Sequence, residues 1–130
     1  MAINAHLMDA THAQKFNNLY KKLEEIIPEE PASLLHGDMW SGNFMTGPDG
    51  YVCLMDPAVY YGHRETEIAF SRLFGGFGND FYHAYNEKWP LSPGFEQRVD
   101  IHNLYPLLVH VNLFGTSYLG GIERTLKKYN

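Results

Sequence analysis

Cysteine is almost absent from this chain of 130 residues, in which Cys53 is the one cysteine. A single thiol forms neither an intrachain disulfide nor a thiolate metal cluster. This excludes the disulfide-stapled secreted folds and the cysteine-based zinc folds. We therefore expect a reducing, cytoplasmic setting.

Basic side chains are also few, with 10 Lys and Arg against 15 Asp and Glu, a net charge of -5 and an isoelectric point near 5.7. A nucleic-acid-binding domain normally carries a basic patch or stripe, so we expect no nucleic-acid partner. A small anion such as a nucleotide stays compatible with this charge, because a bound magnesium ion offsets negative charge locally.

Long apolar runs are missing as well. No segment approaches the ~20 apolar residues that span a bilayer, and Met1 to Asp9 lacks the basic and apolar regions of a secretory signal. We therefore expect no membrane partner. The length is typical of one domain that can bury a core, so residues 1–130 are predicted to form a single domain.

Apolar residues at spacings of three and four predict most of the chain to be helical. One helix is expected over residues 11–27, with Asp9 or Thr11 as its N-cap. The remainder, residues 65–129, is predicted to be mainly helical, with a long helix over 95–114.

Two local signals in residues 65–129 predict where helices end or break. Gly75-Gly76 is expected to end a helix over 65–74, because glycine accepts the left-handed conformation at a helix C-terminus. Pro106 is expected to kink or break the long helix near residues 102–105, because proline removes a backbone donor.

A β-hairpin is predicted between two short apolar runs, Phe44-Met45 and Tyr51 to Met55. The intervening Gly47-Pro48-Asp49-Gly50 is typical of a turn, because proline presets φ and glycine accepts a positive φ. Pairing of the two runs would return Asp56 to the side of Asn43. With this hairpin, the predicted fold class is α+β and mainly α-helical.

Three polar side chains follow the ends of apolar runs in this region, namely Asp38, Asn43 and Asp56. Protein kinases use an Asp, an Asn and a second Asp in this order, the first two spaced as H-R-D-x-x-x-x-N. Phosphoryl transfer needs a carboxylate that orients the acceptor hydroxyl, and oxygen ligands for magnesium. The pattern predicts Asp38 as the catalytic residue and Asn43 and Asp56 as ligands of Mg²⁺ and its bound ATP.

Other interpretations of these residues stay open. A lone Asp before a turn is most often a cap. A zinc site of His36, Asp38, Asp56 and His63 is conceivable, although its spacings match no standard zinc signature. His36 fits a residue that braces the loop better than a catalytic base, and Trp40 fits a pocket wall and a core position equally well.

Longer phrases resemble a known family. They are Leu34-Leu35-His36-Gly37-Asp38-Met39-Trp40-Ser41-Gly42-Asn43, Met55 to Glu65, Leu73-Phe74-Gly75-Gly76-Phe77, Tyr85 to Leu91 and Leu113-Phe114-Gly115. Together they look like the C-terminal half of fructosamine kinases, also called ketosamine-3-kinases. That family belongs to the aminoglycoside phosphotransferase-like group of protein-kinase-like folds, so the resemblance implies the C-terminal lobe of such a fold.

The resemblance implies transfer of the ATP γ-phosphate, with Mg²⁺, to the 3-hydroxyl of a ketosamine, a reaction that leads to deglycation. Its matching positions imply a catalytic Asp38, magnesium ligands Asn43 and Asp56, structural support from His36 and Glu67, and weaker sugar contacts from Trp40, His63 and Arg64.

The chain departs from the kinase pattern in its nucleotide-clamping parts. Its sequence shows no Gly-rich phosphate loop, no strand lysine in a Val-Ala-x-Lys context and no partner glutamate for such a lysine. We expect the acceptor and metal half of a site, weak or no activity of this chain alone, and a homodimer or pairing with an N-terminal lobe. A non-catalytic sugar-amine-binding or protein-interaction module is the competing interpretation, and a metal-dependent hydrolase is a third.

Overall fold

The computed structural model describes residues 7–130, an α+β arrangement of seven α-helices, one short 3₁₀ helix and two small antiparallel sheets within that range. The helices are α1 (Ala10–Tyr20), α2 (Leu23–Ile26), α3 (Arg64–Leu73), α4 (Asn79–Lys88), α5 (Phe95–His102), α6 (Leu104–Phe114) and α7 (Leu119–Lys128), and the 3₁₀ helix is Thr116–Tyr118. The strands are β1 (Ser33–Leu35), β2 (Phe44–Thr46), β3 (Val52–Leu54) and β4 (Tyr60–Gly62). The expectation that residues 1–9 hold no targeting signal falls largely outside the described residues.

The described chain divides into two compact units, and each is treated by itself. One unit is Glu30–His102, and the other joins residues 7–29 to Asn103–Asn130. The single domain over residues 1–130 stays a prediction. None of the described helices is long and apolar enough to cross a membrane.

The core of the unit Glu30–His102 forms around α3. Ile68 and Ala69, one turn into the helix, are buried with Met39 from the loop after β1 and Phe95 from α5. Partly buried apolar residues surround them, namely Phe77, Phe81, Tyr82, Tyr85, Leu91 and Val99. Met39 is therefore an anchor that holds the loop containing Asp38 against the helices.

The predicted hairpin is confirmed. Strands β2 and β3 pair antiparallel with Phe44 opposite Leu54 and Thr46 opposite Val52. Gly50 closes the turn at φ +82°, a conformation that glycine adopts without steric cost. The backbone N–H of Met55 donates to the carbonyl of Asn43 at 2.9 Å, which extends the pairing to the residue before Asp56.

The second sheet was not predicted. In the segment between Asp56 and the helix predicted over residues 65–74, Tyr60–Gly62 forms β4 and pairs antiparallel with β1. The two strands are three residues each and are separated by the whole hairpin. Strands so short carry little periodicity, and pairing over that distance leaves no local turn signal.

In the other unit, the single helix predicted over residues 11–27 is wrong in its length. Asp9, one of the two residues expected to be the N-cap, is the N-cap of α1. Its side chain accepts a hydrogen bond from the His12 backbone N–H at 3.0 Å. The helix ends at Tyr20. Just beyond it, the backbone N–H of Lys22 donates to the Leu19 carbonyl, three residues earlier, at 2.9 Å. The Lys22 ammonium also donates to the Tyr129 carbonyl at 2.7 Å, a long-range contact that local periodicity does not reveal.

The predicted break before Pro106 is confirmed. Helix α5 ends at His102 and α6 begins at Leu104, so Pro106 is the third residue of α6. Proline is tolerated in the first turn of a helix because its missing N–H has no intrahelical partner there.

Candidate active site

Asp38 and Asn43 are held together across the loop between β1 and β2. The Asn43 Nδ2 group donates to the backbone carbonyl of Asp38 and to its Oδ2 carboxylate oxygen, each at 2.9 Å. Asn43 is buried and Asp38 is half-buried. The other branch of the Asn43 carboxamide carries Oδ1, and this oxygen is the atom that would bind a magnesium ion.

Asp56 lies next to Asn43 because of the hairpin. Its neighbour Met55 is bonded to the Asn43 carbonyl, and its own side chain is exposed. Asp56 has φ +49°, and it is the non-glycine residue with a positive φ in residues 7–130. Asp tolerates this region better than most residues, and such strain is concentrated at functional sites.

His36 connects the two halves of this arrangement. Its Nε2 atom lies 2.9 Å from the Met55 carbonyl, and its Nδ1 atom accepts the Asp38 backbone N–H at 3.3 Å. Because Nδ1 accepts, the network assigns the proton to Nε2, where it is donated to Met55. These contacts are those of a residue that braces the loop.

Glu67, on α3, holds the backbone ahead of Asp38. Its carboxylate accepts the backbone N–H of His36 at 3.1 Å and the backbone N–H of Gly37 at 2.7 Å. Bonds from backbone donors to an ionised carboxylate are stronger than neutral ones. The helix therefore fixes the position of the loop from about thirty residues further along the chain.

Gly37 allows the chain after Asp56 to pass close to the chain before Asp38. It has φ +83°, and a Cβ atom there would lie 2.0 Å from the Ala58 carbonyl oxygen. The Ala58 N–H in turn donates to the His36 carbonyl at 2.8 Å. Both the conformation and the space require glycine.

We expect Gly37→Ala to destabilise the chain by more than about 3 kcal/mol, because it adds both left-handed strain and a clash with backbone. Urea unfolding of this variant measures the effect. Gly50→Ala is the matched control, since Gly50 has nearly the same φ of +82° and nothing within 4 Å of an added Cβ. Equal losses in the two variants would contradict the close approach at Ala58.

Trp40 is exposed to 37%, so it is not a core residue. Its ring lies over Gly42, where an added Cβ would sit 2.3 Å from the indole. The ring is therefore partly open to solvent beside Gly42.

Arg64 is buried, and its guanidinium makes four hydrogen bonds. It pairs with the Glu30 carboxylate at 2.7 and 3.0 Å, donates to the Trp89 and Pro90 carbonyls at 2.8 and 2.7 Å, and stacks 4.2 Å from the Trp89 ring. We therefore leave Arg64 out of the proposed sugar contacts. His63 is the N-cap of α3, where its side chain accepts the Glu65 N–H.

Glu30 makes this pair sensitive to acid. The hydrogen bonds from Arg64 hold the pKa of Glu30 below its ordinary value of 4.5, outweighing the opposing effect of burial. A lowered folded-state pKa stabilises the fold above the unfolded value, and this stability is lost as the pH falls through the folded-state pKa.

We expect Glu30→Gln to lower the free energy of unfolding by about 3 kcal/mol at pH 7, because it leaves Arg64 buried without its carboxylate. The difference from the parent chain should shrink as the pH falls below 4.5. Urea unfolding at pH 7, 5 and 4 measures both effects, and a difference that is constant with pH would contradict the role of the ionised pair.

A buried ionic cluster was missed by sequence reasoning. Glu65 is completely buried and accepts bonds from Arg98 at 2.6 and 2.8 Å and from His102 at 3.1 Å. Its partners lie more than thirty residues away, beyond the reach of local patterns.

The zinc site considered from the sequence is wrong. In the part of the chain that the structure describes, His36, Asp38, Asp56 and His63 do not form a common ligand group. His63 lies instead with Glu65 and His102.

A cavity of about 780 Å³ opens among α3, α4, α5 and the loops between them. Its lining combines aromatic rings, amides and an ion pair, namely Arg72, Gly75, Gly76, Phe77, Asn79, Tyr82, His83, Asn86, Leu91, Ser92, Gly94, Phe95, Glu96 and Gln97. Phe77 and Phe95 also contact the core cluster of Met39, so the cavity and the Asp38 loop share a wall.

Comparisons with known proteins agree with this fold. The family model described as Fructosamine kinase matches residues 1–130. A crystal structure of a protein assigned as a fructosamine-3-kinase from Thermobifida fusca YX-ER1 superposes with a TM-score of 0.87 at 35% identity, covering 97% of this chain and 44% of that one.

Sequence relatives lie in the same group. The mouse protein named Ketosamine-3-kinase is 44% identical over 88% of this chain and 36% of its own length. The Lactiplantibacillus plantarum protein named "Probable ketoamine kinase" is 40% identical over 99% of this chain and 47% of its own length. The chain belongs to the fructosamine kinase family, and it spans less than half the length of these relatives.

Proposed function

We propose that this chain carries the acceptor and metal half of a ketosamine kinase site, on the C-terminal lobe of a protein-kinase-like fold. The reaction is transfer of the ATP γ-phosphate to the 3-hydroxyl of a fructosamine-type ketosamine. The bond from Asn43 Nδ2 to the Asp38 carboxylate carries the proposal, because it joins the two residues that the kinase pattern requires to act together.

Asp38 would orient the acceptor hydroxyl and take its proton. The 3-hydroxyl oxygen forms the new bond to the γ-phosphorus, the bond from that phosphorus to the ADP oxygen breaks, and the hydroxyl proton passes to the carboxylate. Asn43 holds one carboxylate oxygen, Glu67 fixes the backbone before Asp38, and His36 accepts the backbone N–H of Asp38 itself. This chemistry depends mainly on such positioning.

The residues beside Asp38 fit a magnesium ion. Asn43 Oδ1 and the exposed Asp56 carboxylate are hard oxygen donors on adjacent backbone, and magnesium usually takes one or two such ligands together with substrate phosphates and water. When bound, the ion would neutralise phosphate charge. Trp40 and His63 remain the candidate sugar contacts.

We further propose that the 130 residues alone turn over ATP weakly, because their sequence supplies no Gly-rich loop or strand lysine to clamp the phosphates. Apolar side chains exposed on the strands, namely Leu34, Met45, Val52, Leu54, Tyr60 and Tyr61, favour either a homodimer or pairing with a nucleotide-clamping lobe.

An ATP turnover assay with a fructosamine acceptor tests the proposal. The chain alone is compared with a fusion in which the uncovered part of the Lactiplantibacillus relative precedes residue 1. We expect little ADP from the chain and acceptor-dependent ADP from the fusion. A folded fusion that binds ATP and magnesium but releases phosphate to water regardless of acceptor would support a hydrolase and contradict the kinase.

A further inference from the structure

Three metal-ligating side chains meet in a cluster that contains none of Asp38, Asn43 and Asp56. They are His63 at the start of α3, Glu65 in its first turn and His102 at the end of α5. One ligand atom from each lies within 4.8 Å of the others. We propose that these three residues bind one divalent transition-metal ion of the zinc class.

Metal binding would require the three ligand atoms, which lie within 4.8 Å of one another, to move closer together. The His63 and His102 ring centroids are 5.5 Å apart, with the planes tilted by 30°. An ion bonded to two imidazole nitrogens and one carboxylate oxygen lies about 2.0–2.2 Å from each. The side chains would rotate toward a common centre to reach these distances, and a water molecule would complete four-coordination.

Supporting groups for two of the ligands are already in place. The Nδ1 atom of His102 lies 3.1 Å from the Thr66 hydroxyl, which orients the ring. Arg98 donates hydrogen bonds to both oxygens of the Glu65 carboxylate. Metal-binding histidines and carboxylates are typically held by such a second layer of hydrogen bonds.

The protonation states also suit a metal. Burial lowers the pKa of His102 despite its bond to Glu65, which favours the neutral imidazole that metals bind. Burial alone would raise the pKa of Glu65, but the hydrogen bonds from Arg98 and His102 hold it below its ordinary value. Glu65 is therefore a carboxylate.

The charge of Arg98 determines which ion fits. It already offsets the negative charge of Glu65, so the two imidazoles must provide most of the affinity. Imidazole nitrogen suits zinc, copper and nickel, whereas magnesium prefers oxygen. This site is thus chemically distinct from the one formed by Asn43 and Asp56.

Binding would stabilise the packing of α3 on α5. The ion would connect the start of α3 to the last residue of α5, and the same α3 carries Glu67 two residues beyond Glu65. The expected consequence of occupancy is a higher melting temperature of the chain.

Calorimetric titration of the metal-free 130-residue chain with ZnCl₂, in a weakly coordinating buffer, tests the site. We expect one zinc per chain, a zinc-dependent rise in melting temperature, and no comparable response to magnesium. His63→Ala should weaken zinc binding by about tenfold or more, and Thr66→Val, which removes only the supporting hydroxyl, by about tenfold.

His83→Ala is the matched control, because His83 is exposed on α4 and does not belong to the ligand cluster. It should bind zinc like the parent chain. Thr66→Val provides a second test if His63→Ala fails to fold. Zinc affinity that is equal in the parent chain, His63→Ala and Thr66→Val, or several weak sites per chain, would overturn the proposal. Asp56→Ala should leave zinc binding unchanged, so failure of the kinase proposal would not affect this result.

Discussion

Asp38→Asn is expected to lower kcat of the fusion with the nucleotide-clamping part by about a thousandfold, within the range of general base catalysis. Asparagine has nearly the same shape and keeps an oxygen that can accept the bond from Asn43 Nδ2. It cannot take the proton of the acceptor hydroxyl. The ADP release rate at saturating ATP and ketosamine measures the loss.

Asp49→Asn is the matched control for this change. Asp49 lies in the hairpin turn, where it accepts the Tyr51 N–H at 3.1 Å, and is exposed. Its variant should keep the parent kcat. An Asp38→Asn fusion that folds, binds magnesium and ATP, and retains its kcat would contradict the role of Asp38.

Glu67→Gln is expected to have the second largest effect, a fall in kcat of about a hundredfold, because a shift of about 1 Å in a catalytic group costs that much. Glutamine replaces one carboxylate oxygen with an NH₂ group, which faces the N–H of either His36 or Gly37. One backbone donor then loses its acceptor, with an expected stability loss of about 2 kcal/mol.

A positioning role and a purely structural role of Glu67 are separable by kinetics. Misplacement of Asp38 should lower kcat per folded molecule and leave KM for ATP nearly unchanged. Glu96→Gln is the control, since Glu96 forms an exposed ion pair with Arg72 of the kind that contributes about 1 kcal/mol or less. An unchanged kcat per folded Glu67→Gln molecule would show that Glu67 only stabilises the fold.

Features with a local cause were predictable from the sequence. The hairpin follows from Gly47-Pro48-Asp49-Gly50 between two apolar runs, and it places Met55 against Asn43. The break before α6 follows from Pro106. The end of α3 follows from Gly75 and Gly76, both of which have a positive φ.

Features with a distant cause were not predictable. The β1–β4 pairing joins two three-residue strands across the hairpin, and the α1–α2 break accompanies a contact from Lys22 to Tyr129. Arg64 was expected to contact the sugar, but it is buried in an ion pair with Glu30, which is far away in sequence. Such pairings depend on the assembled fold and not on neighbouring residues.

The candidate site contains features of both kinds, some predictable from the sequence and some not. The spacing of Asp38, Asn43 and Asp56 indicated which side chains belong together, and the bond between the first two is observed. Glu67 was expected to be structural, but its two bonds to the backbone before Asp38 required the fold. The supporting residues of the site are thus harder to predict than the residues they support.

The position of the transferred phosphate tests the central proposal most directly. Phosphorus NMR of the fusion with ATP, Mg²⁺ and a fructose-derived ketosamine should show one new phosphomonoester, coupled to the proton on carbon 3 and absent with Asp38→Asn. Phosphate on another hydroxyl, or inorganic phosphate that a folded fusion releases at the same rate with and without the ketosamine, would contradict the assignment of this chain to the acceptor half of a ketosamine kinase.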